Sequence, residues 1–116
     1  MRAPAAALVC LTLLAGCASP YPQMRYEPEP TQAIAAAHRE LVDLDGELER
    51  LTVSAPPDCR RLCDLQARIC ELSARICTLE ERYPESKDVA NRCADGKRRC
   101  GGASKKVAER CTCEGR

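Results

Sequence analysis

The chain contains no Phe and no Trp, and three Tyr are its whole aromatic content. A core without large aromatics must be built from Leu, Ile, Val and Ala. A small domain of that kind buries little apolar area and is usually stapled by other means. His38 is the single histidine, and no Ser/His/Asp set, cleft-forming carboxylate pair or Gly-rich phosphate loop can be assembled. The residues therefore point away from an enzyme, and no cofactor is called for. There is no Cys-x-x-Cys, so the thioredoxin-like redox motif is missing, and no Cys-x-x-Cys-His for haem. The net charge is +1, from 18 basic and 17 acidic residues. That balance calls for no nucleic acid and for no anionic surface.

What is present begins with a leader. Met1-Arg2-Ala3-Pro4 is a basic start, Ala5 to Leu14 is apolar, and small residues close the run. Its length is that of an export signal and falls short of the about 20 apolar residues that span a bilayer. Leu14-Ala15-Gly16-Cys17 resembles the lipobox of bacterial lipoproteins. The resemblance implies residues 1–16 as a signal peptide, cutting after Gly16, and a diacylglyceryl thioether with palmitate-type acylation on Cys17. It also implies anchoring to the membrane through that lipid. Ala18 follows the modified cysteine in place of Asp, which by the same resemblance favours the outer membrane, facing the periplasm. Residues 17–30 then read as a tether, because Pro20, Pro22, Pro28 and Pro30 exclude helix. Extended, they reach about 40 Å from the lipid at roughly 3.1 Å per residue.

Two long apolar seams follow. Ile34, Ala37, Leu41, Leu44, Leu48 and Leu51 recur at steps of three and four, predicting an amphipathic helix over 31–53 with Thr31 as its cap. Asp45-Gly46 is a place where it could split, though one helix is the better reading. After Ser54-Ala55-Pro56-Pro57, Asp58 caps a second helix running to Arg82, with Leu62, Leu65, Ile69, Leu72, Ile76 and Leu79 as its seam. Beside that seam runs another of Cys63, Cys70 and Cys77 at steps of seven. A helix with two adjacent buried stripes has two neighbours. Tyr83-Pro84-Glu85-Ser86 makes a turn, and a third helix carries Val89, Cys93, Gly96, Cys100, Ala103 and Val107. Gly101-Gly102 is expected to break or kink it, and Gly96, Gly101 and Ala103 to admit a close neighbour. The fold class is thus all-α: a small three-helix bundle in which 58–113 forms a disulfide-laced antiparallel helical hairpin and 31–53 packs on it.

Eight cysteines remain beyond the leader and Cys17, and an even set in an exported chain reads as a disulfide framework. Facing residues of an antiparallel pair have a constant index sum. Cys77 with Cys93 and Cys70 with Cys100 both sum to 170. A shift at Gly101-Gly102 would then give a nested ladder with Cys63–Cys111 and Cys59–Cys113. The crossed option, Cys59–Cys111 with Cys63–Cys113, keeps the same sum for one bond. The nested pairing is favoured.

Other readings attach to the same residues. Cys59-x-x-x-Cys63 with further thiols stacked in a helical bundle resembles exported copper-storage proteins, which implies Cys59, Cys63, Cys70, Cys77, Cys93 and Cys100 as thiolate ligands for Cu(I). Against it, the thiols pair off across a hairpin and the rest of the seam is Leu and Ile. Structural disulfides, and no metal, are favoured. A coiled-coil homo-oligomer through exposed parts of the seams is a third reading. His38, and the acidic run Asp43, Asp45, Glu47 and Glu49, read as solvated, since the run fails the calcium-loop spacing. Residues 17–57 carry three basic and seven acidic groups, and residues from 58 onward fourteen and ten. An acidic helix is thus matched to a basic hairpin. Lys97-Arg98-Arg99 and Lys105-Lys106 face that helix or water, with anionic headgroups or polysaccharide as other candidates. The function read from all this is a non-catalytic, lipid-anchored envelope protein working through a protein partner.

Overall fold

The computed structural model of the chain describes Gly16 and residues 30–114. Residues 1–15 of the expected leader, Cys17 and the tether through residue 29 lie outside the described residues. Three helices follow one another: α1, Pro30–Thr52; α2, Cys59–Glu80; and α3, Lys87–Ala108. Proline at the first position of α1 loses no intrahelical hydrogen bond, since that N–H has no partner in any helix. The helix therefore starts one residue before Thr31, which lies in its first turn and is not its cap. Asp45-Gly46 does not split it. Asp58 caps α2 by accepting from the Arg61 N–H at 3.1 Å, and Ser86 caps α3 by accepting from the Val89 N–H at 3.3 Å. α2 ends at Glu80, two residues before Arg82, because the Arg82 and Tyr83 N–H groups turn back to the carbonyls of Leu79 and Glu80 at 3.1 and 2.9 Å.

Each helix turns its apolar seam inward. Ile34, Leu41 and Leu48 of α1, Leu62, Leu65, Ile69, Leu72 and Ile76 of α2, and Val89, Ala103 and Val107 of α3 form one buried cluster. Burying one such Leu or Ile contributes about 1.5–3 kcal/mol. Ala37, Leu44, Leu51 and Leu79 pack partly buried at its edge. Among the described residues Val53 is the exposed large apolar side chain, at 83 %. α2 runs antiparallel to both neighbours, so α1 and α3 are parallel. Glu47 meets Arg61 and Glu40 meets Arg68 across the first pair, while His38 meets Asp95 and Glu49 meets Lys106 across the parallel pair.

Four disulfides lace α2 to α3 and to the segment after it. Cys77 is bonded to Cys93 and Cys70 to Cys100, with Cα–Cα distances of 4.8 and 4.7 Å. The other two bonds correct the nested expectation: Cys59 is joined to Cys111 and Cys63 to Cys113, at 5.4 and 5.6 Å. The cause is α3 itself. Gly101-Gly102 does not break it, and the Cys111 N–H still bonds the Val107 carbonyl at 2.7 Å. Cys111 thus keeps the helical register and faces Cys59, again with an index sum of 170. Cys113 lies in the non-helical end beyond α3 and comes back to Cys63, one turn along α2. Close approach of the two helices is provided by Gly96, which is buried. Gly101, expected to help, is exposed, and a Cβ added there would meet nothing within 4 Å.

Candidate functional site

The expected lipidation residue, Cys17, lies outside the described residues. The chemistry that the described residues bring together is a polar ladder between α1 and α3. His38 and Asp45 lie seven residues apart on α1, so they share a face beside the apolar seam. Arg92, Asp95 and Arg99 occupy the facing flank of α3. His38 Nε2–H donates to Asp95 Oδ2 at 2.8 Å, and Arg92 Nη1–H donates to His38 Nδ1 at 3.2 Å. An arginine can only donate, so in this geometry Nδ1 is the accepting nitrogen and the ring proton facing Asp95 is on Nε2. Arg99 bridges the two acids, donating through Nε to Asp95 at 2.8 Å and through Nη1 to Asp45 Oδ2 at 2.6 Å. Arg98 adds a bond to the other oxygen of Asp95.

Burial pushes the Asp95 carboxyl up, but the bonds from Arg99, His38 and Arg98 outweigh it and hold the group well below the usual carboxylate range. Arg99 is raised by Asp95 first and Asp45 second, against partial burial. Further down the same flank the Lys106 ammonium lowers Glu49 through a hydrogen bond, and Arg110 donates to the Thr52 carbonyl.

This corrects two expectations. His38 is not solvated but tied between α1 and α3. Asp45 is 7 % exposed and not part of a solvated face, and Glu47 and Glu49 bridge to Arg61 and Lys106. The match of acidic helix to basic hairpin was legible in the charge split. The partners were not, because pairing α1 with α3 requires the parallel register, which no residue announces. Charges at heptad spacing beside the seam were the available signal.

The six cysteines of the copper reading are all in S–S bonds, so none is a thiolate here. Cys77, Glu80 and Cys93 bring their polar atoms within 4.8 Å of one another. With the two sulfurs joined, that group offers a cation one carboxylate. An open groove between α2 and α3 is lined by Gln66, Ser104, Val107, Cys111 and Cys113. Its polar side chains satisfy each other, Gln66 Nε2–H donating to Ser104 Oγ at 3.1 Å and Ser104 Oγ–H to the Cys100 carbonyl at 2.9 Å. No helix among the described residues is long and apolar enough to cross a membrane. No family model, curated protein or solved structure matches the chain.

Proposed function

We propose that this chain is a non-catalytic module of the bacterial cell envelope, anchored by lipid on Cys17 at the periplasmic face of the outer membrane and working through a protein partner. The observation that carries the reading is that all eight cysteines of the helical domain are consumed in cross-links. Such bonds persist in an oxidising compartment outside the cytosol. The leader and its Leu14-Ala15-Gly16-Cys17 end point to the same compartment from unrelated residues. The polar groups of the bundle support the non-catalytic part. Asp45, Asp95 and Arg99 neutralise one another across the helices, and the pairing satisfies the groups that a substrate would otherwise meet.

Intact-mass analysis of the exported protein tests this. An N-terminal peptide beginning at Cys17 and carrying a diacylglyceryl group is expected, with a mass gain of eight protons on reduction. Cys17→Ser is expected to abolish the lipid and release the protein from the membrane fraction. An unmodified N-terminus in a soluble fraction would overturn the anchor. Free thiols that take up Cu(I) stoichiometrically would overturn the structural role of the cysteines.

A further inference from the structure

All four lysines of the chain lie on α3, at 87, 97, 105 and 106, whereas every other basic residue is arginine or His38. At 100° per residue, Lys87, Arg98 and Lys105 fall on the face of α3 turned away from both other helices, with Lys97 on the flank toward α2, and all four are exposed. Ala94 and Gly101 lie exposed between them, so no large side chain stands above the cationic groups. The carboxylates of α3 bear on the strip only at Arg98, which shares Asp95 with His38 and Arg99; Asp88 is paired with Arg92, and the exposed Glu109 follows Lys105 by one turn at the helix end. The fourth lysine, Lys106, reaches Glu49 of α1. The outer surfaces of α1 and α2 differ, because acids stand beside their exposed arginines: Arg39, Asp43 and Arg50 on one, Glu71 and Arg75 on the other.

We propose that this lysine strip is a docking surface for the anionic lipid headgroups of the leaflet that holds the anchor. The choice of lipid as occupant rests on the anchored reading above, and two features of the chain support it. α1 and α3 are parallel, so the tether enters the bundle at the same end as Lys87, and Cys17 is separated from Pro30 by only twelve residues. The strip is about 27 Å long from Lys87 to Lys105 at 1.5 Å per residue, within the reach of that tether. The bundle can therefore lie flat, with α3 against the headgroups. Compact ammonium groups suit this contact as point charges on phosphate, whereas the guanidinium groups of Arg61, Arg68 and Arg99 place two N–H donors each on carboxylates between the helices.

Amine footprinting tests the assignment with the native exported protein mixed with vesicles of phosphatidylcholine alone or with phosphatidylglycerol added. Acylation of Lys87, Lys97 and Lys105 is expected to slow about fivefold on the anionic vesicles and to recover at high salt, while Lys106 changes little. Lys97→Gln with Lys105→Gln is expected to remove the protection remaining at Lys87, and the exposed pair Arg39→Gln with Arg75→Gln, which changes net charge equally, to preserve it. Equal rates on both vesicles, with the protein floating on both, would overturn the strip and leave the anchor intact. Failure to float on neutral vesicles with salt-sensitive floating on anionic ones would overturn the anchor and keep the strip. Protection by a soluble anionic polysaccharide but by neither vesicle would also overturn the lipid assignment.

Discussion

Gly96 of α3 and Ser73 of α2 meet almost backbone to backbone: a Cβ at position 96 would stand 3.1 Å from Ser73 Oγ and 3.3 Å from Ser73 Cα. The contact falls between the Cys77–Cys93 and Cys70–Cys100 bonds, where the helices are drawn to Cα separations of 4.8 and 4.7 Å. The neighbour includes backbone, so it cannot swing aside as a flexible side chain would. Gly96→Ala is expected to destabilise the bundle by about 1–3 kcal/mol through overpacking, despite the better helix propensity of alanine. Gly101→Ala, five residues on and facing open space, is expected to stabilise it by up to about 1 kcal/mol. Urea unfolding of both variants checks the opposite signs.

Peptide mapping under non-reducing conditions is expected to join Cys59 to Cys111 and Cys63 to Cys113. These bonds close separations of 52 and 50 residues. Removing either as a Cys→Ser pair is expected to lower stability by about 2–4 kcal/mol. A Cys59–Cys113 peptide would show that α3 loses its register before Cys111.

Arg99 and Arg98 are adjacent, yet they differ in what they hold. Arg99 spans Asp95 and Asp45, and the Asp45 side chain is only 10 % exposed. Arg99→Gln leaves that carboxylate nearly buried without its counter-charge, and a loss of about 2–4 kcal/mol is expected. Arg98, whose side chain is 73 % exposed, is expected to change stability by less than about 1 kcal/mol when replaced by Gln. Denaturation midpoints of the two variants at neutral pH test the contrast.

Asp95 predicts an acid limb of stability. Its carboxyl titrates lower in the folded protein than in the unfolded chain, where a free Asp has a pKa of about 3.9. The contribution is therefore complete above that value and is lost as pH falls below it toward the folded pKa, because the unfolded state binds the proton first. Asp95→Asn is expected to be less stable than the parent at neutral pH and to close that gap between about pH 4 and pH 2. Thermal melts across that range check it. A gap that is constant with pH would mean that Asp95 gains nothing from its three donors.

The seams at 34–51 and 62–79 were legible because an apolar stripe at steps of three and four has one stable outcome, and the cap Asp58 announces itself by type and position. Cys77–Cys93 and Cys70–Cys100 followed from the index sum alone. Cys59–Cys111 keeps the same sum but was not favoured, because of one place, Gly101-Gly102, where intrinsic propensity argues for a break. Packing of Ala103 and Val107 into the core carries the helix through, as tertiary contacts commonly override weak local preferences. The helix end at Ala108 then decides which sulfur each cysteine meets.

By itself, the order of residues determined three amphipathic rods, an even and export-compatible set of cysteines, and an acidic rod facing a basic pair. These are properties of periodicity and composition, which act over a few turns of chain. Only the tertiary structure decided that α1 lies parallel to α3, which turned His38 and Asp45 from surface groups into partners of Asp95 and Arg99. It also decided which cysteine closes on Cys59. Both outcomes depend on distances between residues more than fifty positions apart, and those distances exist only once the rods have packed.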